Sequence, residues 1–173
     1  MIRKDLSLSK NALNFGAMVG VVMSVIQMIA YSMNFADSNI LSWILMLILI
    51  LSVSWSVRKY RDMNGGYIDF GQAIGFGLLL SFGGSLVYAV ANYLYIKYLD
   101  PTFIQVIIEQ TELAYYEAEL PQEEIDFNIK LFRRGLTPAT FAIGICLMYT
   151  FLGFISSLII SFFVRNPKPM FEE

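Results

Sequence analysis

The sequence specifies an all-α integral membrane protein with four transmembrane helices, a pair of amphipathic helices between spans 3 and 4, and both termini on the inner side (N-in/C-in). Three observations lead there. The 173 residues are 57% hydrophobic and 15% charged, with a mean hydropathy of +0.60, which is not the composition of a soluble domain. The charges are gathered in a few places and leave four runs without Asp, Glu, Lys or Arg, at 11–36, 38–57, 70–96 and 135–164. The shortest run holds 20 residues, the length a helix needs to cross a hydrocarbon core ~30 Å thick.

The same inventory excludes whole classes of function. A net charge of -2, from 12 basic and 14 acidic residues, leaves no cationic surplus for nucleic acid. There is no histidine, so His-dependent catalysis is ruled out. Cys146 is the single cysteine, deep in the fourth run, with no partner for a disulfide, a redox pair or a zinc site. No catalytic, cofactor-binding or metal-binding constellation stands out.

Span 1, about 11–36, follows Arg3, Lys4 and Lys10 and resembles a signal peptide at its start. Its apolar stretch far exceeds the ~7–15 residues of a signal core, so it reads as a retained span. Asp37 and Ser38 then make a near-point turn, and span 2, about 38–57, returns as the second arm of a tight antiparallel hairpin. Span 3, about 70–96, follows the cluster Arg58, Lys59, Arg61 and the pair Gly65-Gly66. Span 4, about 138–164, opens at Thr137-Pro138, a polar cap with proline at the first helical position. Trp55 and Tyr60 beside Arg58, and Tyr93, Tyr95 and Tyr98 around Lys97, mark the two interfaces. With the N-terminus inside, eight Lys and Arg face the inner side and four the outer. The positive-inside rule therefore puts both termini inside.

Between spans 3 and 4 lies a helical insert, about 100–134. Its first helix is expected to begin at Asp100-Pro101, with Ile104, Ile107, Ile108, Thr111, Ala114, Tyr115 and Ala118 on one face. Pro121 separates it from a second helix with Glu123, Glu124 and Asp126 in the first turns and Lys130, Arg133 and Arg134 in the last, matching the helix dipole at both ends. The second helix carries the stripe Ile125, Ile129, Phe132 and Leu136. We expect these stripes to close a hairpin on itself or on a partner, with Ile104, Ile108, Tyr115, Ile125 and Phe132 as the partner-facing candidates. The segment 97–134 has net charge -4, which argues against attraction to anionic lipid. The acids Glu117, Glu119, Glu123, Glu124 and Asp126 lack a cation-binding loop pattern and read as solvated surface.

Gly65-Gly66-Tyr67-Ile68-Asp69-Phe70-Gly71-Gln72-Ala73, Tyr98-Leu99-Asp100-Pro101-Thr102-Phe103 and Leu136-Thr137-Pro138 resemble the bacterial family named domain of unknown function 4199. The resemblance runs in order over nearly the whole chain. It implies a small four-helix protein of the bacterial inner (cytoplasmic) membrane, chiefly from Bacteroidota, and brings no activity and no site residues with it.

Within the spans, small residues mark faces for close helix contact, because association in lipid rests on packing rather than on hydrophobicity. Span 1 carries Ala12, Gly16, Gly20 and Ser24; span 3 carries Ala73, Gly77, Ser81, Ser85 and Ala89, with Gly71 and Gly75 beside them. Phe15-Gly16-x-x-x-Gly20 and Phe70-Gly71-x-x-x-Gly75 match each other, but so short a match is expected from the glycine content of spans rather than from duplication. Gln27 is the one polar side chain expected deep in the membrane, in an interhelical hydrogen bond. A single four-span domain over 1–173 with no ionisable group at mid-membrane reads as a non-enzymatic component. It is expected to act through helix–helix contacts, as a homo-oligomer, or through a membrane protein partner. The alternative is a small oligomeric transporter or channel, its shared path lined by Gln27, Ser81 and Ser85.

Overall fold

The computed structural model describes residues 7–33 and 39–168. Arg3, Lys4, Asn34 and the turn at Asp37 and Ser38 lie outside the described residues. The helices run α1 Leu8–Ser32, α2 Asn39–Met63, α3 Phe70–Leu94, α4 Phe103–Glu117, α5 Gln122–Gly135 and α6 Pro138–Val164, with a π-helical turn Tyr95–Leu99 after α3. Four of them, α1, α2, α3 with its π turn, and α6, are long and apolar enough to cross a membrane. The protein is an all-α membrane protein with two shorter helices between its last two spans.

The helix ends differ from the charge-free runs for local reasons. The Ser7 hydroxyl accepts the Lys10 N–H at 3.3 Å, so α1 starts ahead of Lys10. α2 continues through Arg58, Lys59 and Arg61 to Met63, because long cationic side chains reach water from an apolar helix without breaking it. It stops where Gly65 and Gly66 adopt φ of +74° and +86° and the Gly66 N–H donates back to the Arg61 carbonyl at 2.9 Å, a closure that glycine permits. The first insert helix begins at Phe103 rather than at Pro101. The Asp100 carboxylate accepts the Thr102 N–H at 3.2 Å and the Thr102 hydroxyl at 2.6 Å, and so folds a turn around Pro101 instead of capping a helix there.

Contacts gather the chain into two compact units, Met1–Tyr88 with Cys146–Glu173, and Ala89–Ile145. In the first unit, Ala12 of α1, Val53, Val57 and Tyr60 of α2, Ile68, Ala73, Phe76 and Leu80 around α3, and Val164 of α6 form the core. Half of the apolar window of α3 is buried against 22–33% for the other spans, so α3 is the helix the others surround. Rings pack around the first half of α3: Phe76 lies 4.7 Å from Tyr60 and 6.3 Å from Phe15, which in turn meets Trp55 edge-on at 5.9 Å. Ile68 pairs with Asn166 through two backbone hydrogen bonds of 2.9 Å, tying the approach to α3 to the exit from α6. Met18, Leu51 and Phe163 are among the many large apolar side chains left outside. In water such a surface would be an aggregation site; in a bilayer it is the solvated face.

The second unit is built on α4 and α5, which pack antiparallel around buried Ile108, Ile125 and Ile129, with Ile104, Tyr115, Leu120, Phe132 and Leu136 against them. Helices of 15 and 14 residues are marginal alone in water. Burying each isoleucine contributes about 1.5–3 kcal/mol, which is what holds the pair.

Candidate functional site

The first candidate is the set of seams along α3. A Cβ on Gly16 would strike the Leu80 carbonyl oxygen and lie 2.9 Å from the Gly84 nitrogen, and one on Gly20 would strike the Gly84 carbonyl and lie 2.8 Å from Val87 Cβ. α1 and α3 therefore touch backbone to backbone. Elsewhere around α3, Gly77 faces Ser157, and the Ser81 hydroxyl occupies the space a Cβ on Gly153 would need. Polar contacts also cross this second seam: Ser85 Oγ lies 2.7 Å from Thr150 Oγ1, with Cys146 Sγ 3.6 Å away, and the Tyr88 and Tyr149 side chains are hydrogen-bonded. The Ser81 and Ser157 hydroxyls donate to Gly77 and Phe154 of their own helices, both at 2.8 Å, so they sit in an apolar seam with their hydrogen bonds made.

Gly71 and Gly75 do not belong to these seams, since a Cβ on either would meet nothing within 4 Å. At 100° per residue they lie about 120° and 160° around α3 from Gly77, so the expected single smooth face divides into a packed side and an open one. The tight setting of Gly16 and Gly20 likewise has no counterpart at Gly71 and Gly75. Ser81 and Ser85 are fully buried inside the protomer, so a path between copies would not be lined by them. Gln27 is also buried, and its amide Nε2 donates to the Tyr31 hydroxyl one turn along α1.

Cations and rings meet at the helix ends. Lys97 Nζ donates to the Tyr93 hydroxyl at 3.0 Å and lies 5.3 Å from the centres of both the Tyr93 and Tyr98 rings. Lys59 stands 6.0 Å from the Trp55 ring and Arg165 5.2 Å from Phe162. Such pairs anchor a span at headgroup depth. A hollow of about 290 Å³ beside Asn64, Gly65, Tyr67, Asp69, Gln72 and Lys168 lies where α3 begins. Only the glycine pair pointed to it in the sequence, because the Ile68–Asn166 pairing that shapes its surroundings joins distant segments.

The hairpin is the second candidate, and here the structure corrects the partner-facing set. Ile108 and Ile125 are buried in the hairpin's own core, and Ile104, Tyr115 and Phe132 pack on it. The most regular apolar stripe on each helix is the one that closes the pair, so it is used up internally. What remains outside is a second set, Leu113 (62% exposed), Phe127 (68%) and Leu131 (61%), with Tyr116 beside them. At helical spacing, Leu113 lies nearly opposite Ile108 and Tyr115, while Phe127 and Leu131 lie across from Ile125 and Ile129. Each helix thus carries a second, sparser set of apolar residues on its outer side, weaker in the sequence than the regular inner row. Glu117, Glu119, Glu123, Glu124 and Asp126 surround the turn between α4 and α5, where Glu119 takes φ +53°, and among the described residues no three His, Cys, Asp or Glu side chains converge.

No curated protein and no solved structure matches the chain. The family model described as "Protein of unknown function (DUF4199)" matches residues 14–166, from the first turns of α1 to the Asn166 that pairs with Ile68. That stretch includes most of α1, the other three spans, the hairpin and both seams of α3, and the chain belongs to the DUF4199 family.

Proposed function

We propose that this protein is a non-enzymatic component of the bacterial inner membrane, with both termini cytoplasmic, acting through contact with a membrane protein partner. The observation that carries this is the outer apolar row of the hairpin. Leu113, Phe127 and Leu131 stay exposed on helices that are not spans, although the hairpin already has a closed core. Large apolar side chains left on the outer sides of a water-facing element are candidates for contact with a partner, Phe127 and Leu131 on the α5 side and Leu113 on the α4 side. The eight-to-four distribution of Lys and Arg supports the orientation.

The test places a photoreactive residue singly at Leu113, Phe127 and Ile125 in the full chain and irradiates native membranes. A protein adduct of one defined mass at 113 and 127, absent at 125, is the expected result. Lipid adducts alone at all three positions would overturn the proposal. Self-adducts from probes at Gly71 or Gly75, the open side of α3, would turn attention to the oligomeric transporter or channel instead.

A further inference from the structure

The hollow where α3 begins has walls that the backbone fixes. Asn64 Nδ2 donates to the Tyr67 carbonyl at 2.9 Å, the Gly66 N–H to the Arg61 carbonyl at 2.9 Å, and the Asn166 side chain to the Gly66 carbonyl at 2.9 Å. The Ile68–Asn166 pairing brings the exit from α6 against this segment, and Lys168, two residues further on, joins the lining. A site shaped by its own hydrogen bonds does not have to be ordered by its ligand. Its volume of about 290 Å³ equals that of on the order of ten waters, room for a small polar group.

Two charged side chains line the hollow, one of each sign: Asp69 and Lys168. Both are exposed, and neither forms an ion pair among the described residues, where the one pair is Arg61–Asp62. Each has a neutral companion of matching polarity in the lining. Asn64 uses its amide nitrogen on the Tyr67 carbonyl and keeps its oxygen as an acceptor, like the Asp69 carboxylate. Gln72 accepts the Asp69 N–H at 3.3 Å through Oε1 and keeps its amide nitrogen as a donor, like Lys168. The lining therefore offers acceptors for a cation and donors for an anion, with no net charge of its own. Its depth is set by the spans: Asp69 directly precedes the charge-free run 70–96 and Arg165 directly follows the run 135–164. The hollow thus lies where the apolar parts of α3 and α6 give out, at headgroup level. Phe70 and Phe163 at those two ends are exposed, apolar surface of the kind that lipid chains cover.

We propose that this hollow binds a phosphoethanolamine head carried by a membrane lipid, its ammonium toward Asp69 and Asn64 and its phosphate toward Lys168 and Gln72. An ammonium brings three N–H donors to the two acceptors, and lysine is a compact charge suited to phosphate. A head with a phosphate alone would set a negative charge against Asp69 with nothing to answer it. A trimethylated ammonium would bring the charge but no N–H to donate. The proposal depends neither on what the outer apolar row of the hairpin binds nor on which side of the membrane the hollow faces.

The test is native mass spectrometry of the full chain in detergent, titrated with phosphatidylethanolamine, phosphatidylcholine or phosphatidylglycerol of the same acyl chains. Phosphatidylethanolamine should bind about threefold to fivefold more tightly than the other two, the scale of an exposed charge pair. Asp69→Asn should bring its binding down to the phosphatidylglycerol level while phosphatidylglycerol itself binds as before or better, a change of preference that loss of fold would not produce. Lys168→Gln should weaken phosphatidylethanolamine by a similar factor, and Lys168→Arg should restore most of it. Arg165→Gln, which removes a nearby cation outside the lining, should leave the preference unchanged. Equal binding of the three lipids, or the same preference after Asp69→Asn, would overturn the proposal in favour of unselective lipid around the spans. Displacement of the lipid by free phosphoethanolamine at equal concentration would overturn the lipid as the source of the head and put a soluble zwitterion in its place.

Discussion

The two units of this chain solve the same packing problem with opposite materials. Around α3 the closest contacts are made by the smallest residues: Gly16, Gly20 and Gly84 on one seam, Gly77, Ser81, Gly153 and Ser157 on the other. In the hairpin they are made by Ile108, Ile125 and Ile129. The difference follows from the solvent. In lipid an isoleucine gains little by turning inward, so stability comes from backbones brought near enough for dispersion and short hydrogen bonds. Where helices pack in water, as the proposed reading has the hairpin do, each buried isoleucine is stabilising in its own right.

The comparison breaks most sharply at Gly16. Gly16→Leu must push backbone away from backbone, so we expect a loss of about 3 kcal/mol or more and little folded protein in a detergent unfolding experiment; a loss under 1 kcal/mol would remove the seam from the argument. Ile125→Ala should cost about 2–4 kcal/mol, localised to the hairpin, seen as faster amide exchange in α4 and α5 with α1 and α3 protected as before. A double-mutant cycle of Ser85→Ala and Thr150→Ala should return a coupling of about 0.6 kcal/mol, and zero coupling would leave this crossing of the seam held by shape alone. Gly75→Ala should change stability by less than about 0.5 kcal/mol, because nothing stands where its Cβ would go.

What could be seen in the sequence followed from one-dimensional signals. The four spans were visible because the absence of charge over 20 or more residues has few other causes, and α5 because its charges follow the helix dipole. Gly16 and Gly77 lie on stripes of small residues that the sequence displays, but spacing marks a stripe and not the neighbour that covers it. Gly71 and Gly75 therefore looked equivalent to Gly77 until α6 was seen on only one side. Ile108 and Ile125 show the same limit: periodicity located the strongest apolar row, and only the packed pair shows that this row is consumed. The start at Phe103 turned on a local competition, in which Asp100 bonded Thr102 rather than a helical N–H.

The pairing of Ile68 with Asn166 has a bearing on biogenesis. The Asn166 side chain also donates to the Gly66 carbonyl at 2.9 Å, a hundred residues back along the chain. During synthesis the strap between α2 and α3 must therefore wait, its backbone groups answered by water, until the last helix has been made and inserted. A chain stopped short of Asn166 therefore leaves the Ile68 N–H and carbonyl and the Gly66 carbonyl without these partners, and the strap closes only when α6 is in place.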